Sequence, residues 1–199
     1  MTHSQVAPRA PYHHGDLHAA LVAAAESLLA SGATLSLRSV AKAAGVSHAA
    51  PYHHFAGLDA LLAAVAARGF DDLAAAMQGA QQGGDTAATL VGHCSAYVAF
   101  ALARPAVFRL MFSPLLQRKA DHPALQVSAD GSFQVLLQAA RAHMAEGADE
   151  LALAGWSLAH GLASLAVDGA LSTAPVAVPP AHELASLLLA RLLRGMPPG

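Results

Sequence analysis

Apolar side chains recur at helical spacing along almost the whole chain, and no segment alternates with the period of two that a half-buried strand needs. About a quarter of the 199 residues are alanine, and alanine with leucine heads the helix-propensity order. The expected fold class is therefore all-α. Apolar residues make up 55% and charged residues 12%. That is the reverse of a disordered chain, which combines low hydrophobicity with high net charge. A formal net charge of −2 with neutral histidine excludes a globally basic nucleic-acid coat protein.

The longest uncharged runs, Thr86 to Ala103 and Leu151 to Val167, just reach membrane-spanning length. Both are rich in alanine, contain glycine and carry a histidine, so buried helices of a soluble bundle explain them better. No membrane association is expected. The first eleven residues lack the apolar core of a signal peptide. Cys94 is the single cysteine, so neither an internal disulfide nor a four-cysteine zinc site can form.

Helix signals follow one another along the chain. Leu17, Leu21, Ala24, Ala25, Leu28 and Leu29 form a stripe that Asp16 can open and Ser31-Gly32 can close. Ser36 is a candidate N-cap for a short helix with Leu37, Val40, Ala41 and Ala44 on one face, broken at Gly45. Ser47 is predicted to cap a helix running to about Phe55. Asp59 is predicted to cap a long helix with Leu61, Leu62, Val65 and Leu73 inward, fading near Gln78. Gln81-Gln82-Gly83-Gly84 reads as a connector. Asp85 starts a helix carrying Leu90, Tyr97, Phe100 and Leu102. Pro105 stops it and can open the next segment, to Phe112. Further helices are expected to about Glu146, from Asp149 or Glu150 to about Thr173, and from Ala181 to Arg194, the last after a Pro-rich linker at 175–180.

The segment from Asp16 to Phe55 carries the sharpest pattern. A helix, a tight turn at Gly45-Val46 and a serine-capped helix is the layout of a helix-turn-helix. Ala41 is small where the second helix must cross closely. Gly45 takes a positive φ without strain, and Val46 plugs the angle between the helices. Ser47 would satisfy N–H groups at the end of the helix that enters a major groove. Tyr12 to Val65, with the core Ser36-Leu-Arg-Ser-Val-Ala-Lys-Ala-Ala-Gly45-Val-Ser47-His-Ala-Ala-Pro51-Tyr-His-His-Phe55 followed by Asp59-Ala-Leu-Leu62, resembles the DNA-binding domain of TetR/AcrR-type transcriptional regulators. Farther on, Trp156-Ser-Leu-Ala-His160-Gly161 resembles the Trp-His-Gly signature of one C-terminal subclass of those regulators.

The resemblance implies a flexible arm at 1–11, a three-helix helix-turn-helix domain at 12–57, and a helical effector-binding and dimerisation domain at 58–199. Its implied DNA-binding residues are Arg38, Ser47, His48, Ala49, Ala50, Tyr52, His53 and His54. Tyr52 and Arg38 suit phosphate or guanine, whereas Ala49 and Ala50 offer only methyl contacts. Three features depart from the family pattern. His48 stands where longer polar side chains are common, Pro51 interrupts the recognition helix, and Gly57-Leu58-Asp59 lacks a frequent lysine. A small, mostly apolar effector is implied in a pocket between helices. Its candidate lining is His93, Tyr97, Phe100, Phe108, Met111, Phe112, Phe133, Trp156 and His160, although core packing is the plainer account of most of these. The last two helices, rich in alanine, glycine and leucine, are the expected homodimer seam. Two-fold symmetry suits a palindromic operator on double-stranded DNA. A cytoplasmic protein without cofactor or metal is implied, with repression favoured over activation only by analogy.

Residues 1–70 carry Arg9, Arg38, Lys42 and Arg68 against Asp16, Glu26 and Asp59, four minus three, a net +1. That is low for binding driven by phosphate neutralisation. His3, His13, His14, His18, His48, His53 and His54 share the segment, and phosphates favour protonated imidazoles. DNA affinity is therefore expected to rise as pH falls. Adjacent histidine pairs diverge on a helix and chelate poorly, and His93-Cys94 cannot form a hydrogen-bonded catalytic pair for the same reason. Two rivals stay open: a helical small-molecule-binding protein that has lost DNA binding, favoured by weak charge and Pro51, and an all-α metal- or cofactor-dependent enzyme.

Overall fold

A computed structural model describes residues 14–81, 83–116 and 121–195, with side chains from Leu17 onward. The arm at 1–11, Tyr12, His13 and the Asp16 side chain lie outside the described residues. Eight α-helices follow in order: α1 (His14–Ala30), α2 (Leu37–Ala43), α3 (Leu58–Gly79), α4 (Thr86–Ala103), α5 (Pro105–Met111), α6 (Pro123–His143), α7 (Ala148–Val167) and α8 (Ala181–Gly195). Short 3-10 turns occupy Ala50–His53, Pro114–Leu116 and Ala170–Thr173. No strand occurs among the described residues. The contacts divide the chain into two compact units, Met1–Leu61 and Leu62–Gly199.

In the first unit α1 buries Leu21, Val22 and Ala25, and α2, which packs on it, buries Leu37, Val40 and Ala41. The start of α2 is fixed by a reciprocal cap. The Ser39 amide donates to the Ser36 hydroxyl at 3.0 Å, and the Ser36 amide donates to the Ser39 hydroxyl at 2.9 Å. Two donors that a helix start leaves without partners are thereby satisfied. Gly45 ends the helix pair's first arm with φ +68°.

In the second unit α4 is central and packs against α5, α6, α7 and α8. This explains its uncharged sequence, because Leu90, Cys94, Tyr97, Val98 and Ala101 are all buried. The Asp85 carboxylate accepts from the Ala88 amide at 2.9 Å and caps the helix as expected. α8 lies on α4 through Ala181, Ala185 and Leu189, an i, i+4, i+8 row whose two alanines permit close approach. α4 and α7 are long and apolar enough to cross a membrane by length and composition. Here each packs against three or more neighbouring helices or turns.

Several boundaries differ from the sequence expectation. α1 begins at His14, two residues before Asp16. α6 ends at His143, not Glu146, since Met144 is extended and Gly147 adopts φ +75°. α7 ends at Val167, not Thr173, because Gly169 adopts φ +76° and a 3-10 turn follows. Leu102 is 41% exposed and lies outside the inward stripe of α4.

Candidate nucleic-acid interface and ligand chambers

The element after Gly45 is not the serine-capped α-helix that the sequence suggests. Residues 47–49 form a turn, and Ala50–His53 form a single 3-10 turn. Pro51 supplies the reason. It has no N–H to give the Ser47 carbonyl, and it disfavours α conformation at Ala50. The Ser47 carbonyl instead accepts from the Ala50 amide at 3.0 Å, and Ala49 accepts from Tyr52 at 3.2 Å. Pro51 is buried, so its ring anchors the turn. The Val46 amide donates to Ala41 at 3.0 Å, and α2 packs against the 3-10 turn over the fully buried Ala41.

This arrangement leaves Arg38, Ser47, His48, Ala49, Tyr52 and His53 exposed, with Tyr52 at 65%. Ala50 and His54 are half-buried. The His54 ring turns toward His18, 6.2 Å between centroids, and His18 stacks 4.8 Å from the buried Phe55. His54 thus sits with the unit's own aromatic cluster. The exposed Lys42, at the end of α2, adds a cation to the same surface.

The nine candidate pocket residues divide among separate places. Tyr97, Phe112, Phe133 and Trp156 line one cavity of about 280 Å³. Its remaining wall includes Phe70, Leu73 and Met77 from α3, together with Ala129, Ser132 and Leu136 from α6. Those α3 residues are invisible as pocket residues in sequence, where they merely continue a core stripe. Phe108, Phe112 and His160 line a second cavity of about 320 Å³ with Arg109 and Asp168. His93 lines a third cavity of about 380 Å³, whose mixed wall includes Gln78, Gln138 and Asp85. Phe100 and Met111 line none of these three: Phe100 carries the Arg104 guanidinium 5.3 Å from its ring centre, and Met111 is fully buried.

His160 stands between the two aromatic cavities. Its Nδ1 lies 3.0 Å from the Tyr97 hydroxyl, and its ring is 4.4 Å from Phe112 and 5.9 Å from Trp156. Burial pushes its pKa below the usual imidazole value of 6.5, so it is neutral near pH 7. Burial also raises the Tyr97 pKa, keeping that hydroxyl protonated. The pair therefore offers hydrogen bonding without charge in an aromatic wall. Cys94 is fully buried with its pKa pushed up to about 12, which makes it an unreactive thiol.

Ion pairs and polar links frame these cavities. Arg104 donates to Asp72 at 2.6 Å, tying the end of α4 to α3. Arg109 donates to the Val167 carbonyl at 2.7 Å and to Asp168 at 3.0 Å, tying α5 to the end of α7.

Residues 20–65 match the family described as bacterial regulatory proteins, tetR family, and residues 90–192 match the tetracyclin repressor-like C-terminal domain. The fold is similar to that of a protein with unknown function from Rhodococcus sp. RHA1, at 33% identity and TM-score 0.79, covering 94% of this chain and 99% of that one. It is also similar to PfmR, a TetR family transcriptional regulator from Thermus thermophilus, at 20% identity and TM-score 0.64, with 89% and 98% covered. A transcriptional regulator from Rhodococcus sp. RHA1 is similar at 24% identity and TM-score 0.68, with 89% and 96% covered. Comparison with the curated proteins finds no match.

Proposed function

Because this chain belongs to the TetR family of bacterial regulatory proteins, and so is a DNA-binding transcription regulator and not an enzyme, we propose that it is a cytoplasmic, ligand-responsive repressor that binds a palindromic operator as a homodimer. The observation that carries this reading is the exposure of Arg38, Ser47, His48, Ala49, Tyr52 and His53 around one buried Pro51 turn. Tyr52 and Arg38 make phosphate contacts that set register, and His48 with Ala49 meets base edges.

The effector is a small, mostly apolar molecule held in the aromatic cavity of Phe70, Tyr97, Phe112, Phe133 and Trp156. The Tyr97–His160 pair at its edge supplies orientation. Two copies associate through α7 and α8, whose outward Leu165 and Leu187 are 47% and 51% exposed in the single chain. α3 carries residues of both compact units, 58–61 of the first and 62–79 of the second. Effector binding shifts the population between a DNA-competent and an incompetent state along it.

The test is selection of bound fragments from genomic DNA by the purified protein, repeated with a saturating effector once one is known. An inverted-repeat site, released by effector, is expected. Absence of any preference over scrambled DNA would leave a helical ligand-binding protein that has lost its operator.

A further inference from the structure

His93 is the one buried side chain among the described residues whose polar atoms lack a hydrogen-bond partner. It is 4% exposed, and both Nδ1 and Nε2 are unpartnered. A buried imidazole left so is costly unless something else completes its bonds. The cavity that it lines, about 380 Å³, supplies the space. We propose that this chamber is a second ligand subsite, which takes the uncharged hydrogen-bonding end, a primary amide or alcohol, of an otherwise apolar effector.

The lining sets the chemistry. Gln78, Gln81 and Gln138 bring carboxamides from α3, the connector after it and α6. No lysine or arginine is among the described lining residues. The Asp85 carboxylate is in the wall and accepts from the Ala88 amide at the start of α4. Thr89 donates to the Asp85 carbonyl at 2.8 Å, and the Thr86 hydroxyl lies 2.9 Å from His143 Nδ1. An anionic end would enter with a carboxylate nearby and no cation to meet it. Burial lowers the His93 pKa, so the ring is neutral and offers one donor and one acceptor. A primary amide presents the complementary pair.

The two chambers run in series along the same helices. His93 precedes Tyr97 by one turn of α4, about 6 Å along its axis. Met77 and Leu136 line the aromatic cavity, while their neighbours Gln78 and Val135 line the cavity of His93. The proposal rests on the reading of the aromatic cavity as the effector site, and it adds the nature of the effector's polar end.

The experiment is calorimetric titration of the full chain with octanamide, octylammonium and octanoate. Octanamide is expected to bind about ten-fold tighter than either ion, the effect of one properly paired buried group. That advantage is expected to vanish in His93→Phe, which keeps a ring but removes both nitrogens. In the unsubstituted protein, the 15N resonances of the His93 ring are expected to move on octanamide addition, a reading that stands even where His93→Phe fails to fold. Equal affinities, tightest binding by an ion, an amide preference surviving in His93→Phe, or unmoved ring resonances would each overturn the subsite. Binding without discrimination overturns the subsite alone. Binding by none of the three overturns the effector reading of the aromatic cavity with it.

Discussion

The Tyr97 hydroxyl and Nδ1 of His160, 3.0 Å apart, join α4 to α7 across the aromatic wall of the second unit. Tyr97 is 2% exposed, so water has little access to take over its bond. Tyr97→Phe keeps the ring and removes the hydroxyl. It is expected to cost about 1 kcal/mol of stability, measured by urea denaturation, and to weaken effector binding in titrations.

Stability is expected to fall on mild acidification. His93 and His160 both have pKa values lowered from 6.5 by burial. Below pH 6.5 the unfolded chain takes up protons on these rings while the native state resists them. Stability is therefore full above that value and declines as pH drops toward the lower folded values. Thermal melts between about pH 7.5 and 5.5 should show the decline, and His160→Gln should flatten it.

Helix crowding gives a sharper contrast. A Cβ on Gly92 of α4 would lie 2.6 Å from the Ala80 carbonyl oxygen, whereas one on Gly131 of α6 would meet nothing within 4 Å. Gly92→Ala is expected to destabilise by about 1–3 kcal/mol. Gly131→Ala is expected to stabilise by about 0.5–1 kcal/mol through helix propensity. Denaturation midpoints compare the two directly.

On the DNA side, Arg38→Ala and Tyr52→Phe should each weaken operator binding. If Arg38 contacts phosphate, its loss lowers the magnitude of the salt slope by about 1 and affects all sequences alike. Gel shifts across a salt series measure this. A loss confined to one operator position would instead make Arg38 a base reader.

Association is tested by placing charge in the expected seam. Leu165→Glu with Leu187→Glu should give a monomer in light scattering and abolish operator binding, with helicity unchanged in circular dichroism. A dimer that survives both changes would move the seam elsewhere.

The helical order of the chain was legible wherever a local rule sufficed. Ser36 and Asp85 cap as their types suggest, Gly45 turns with positive φ, and Pro105 opens α5. The turn at Ala50–His53 was half legible: Pro51 announced the disturbance through its missing N–H, while the burial of its ring was not visible in the sequence. The chambers were least legible. Aromatic residues in sequence do not declare whether they face a void. Phe100 and Met111 pack away while Phe70 and Met77, apparently core, face a cavity. His93 and Tyr97 look like partners on one helix face but open into different spaces, because α3 presents Met77 to one and Gln78 to the other, and α6 divides Leu136 and Val135 in the same way.

The obstacle at Gly92 is a main-chain oxygen, so no exchange of the residue at position 80 can relieve it. That junction is insensitive to the usual compensating mutation. Retuning this chain to a different small molecule is therefore expected to fall on cavity-lining positions such as Phe133 or Gln138, while the crossing of Gly92 with the Ala80 main chain stays fixed.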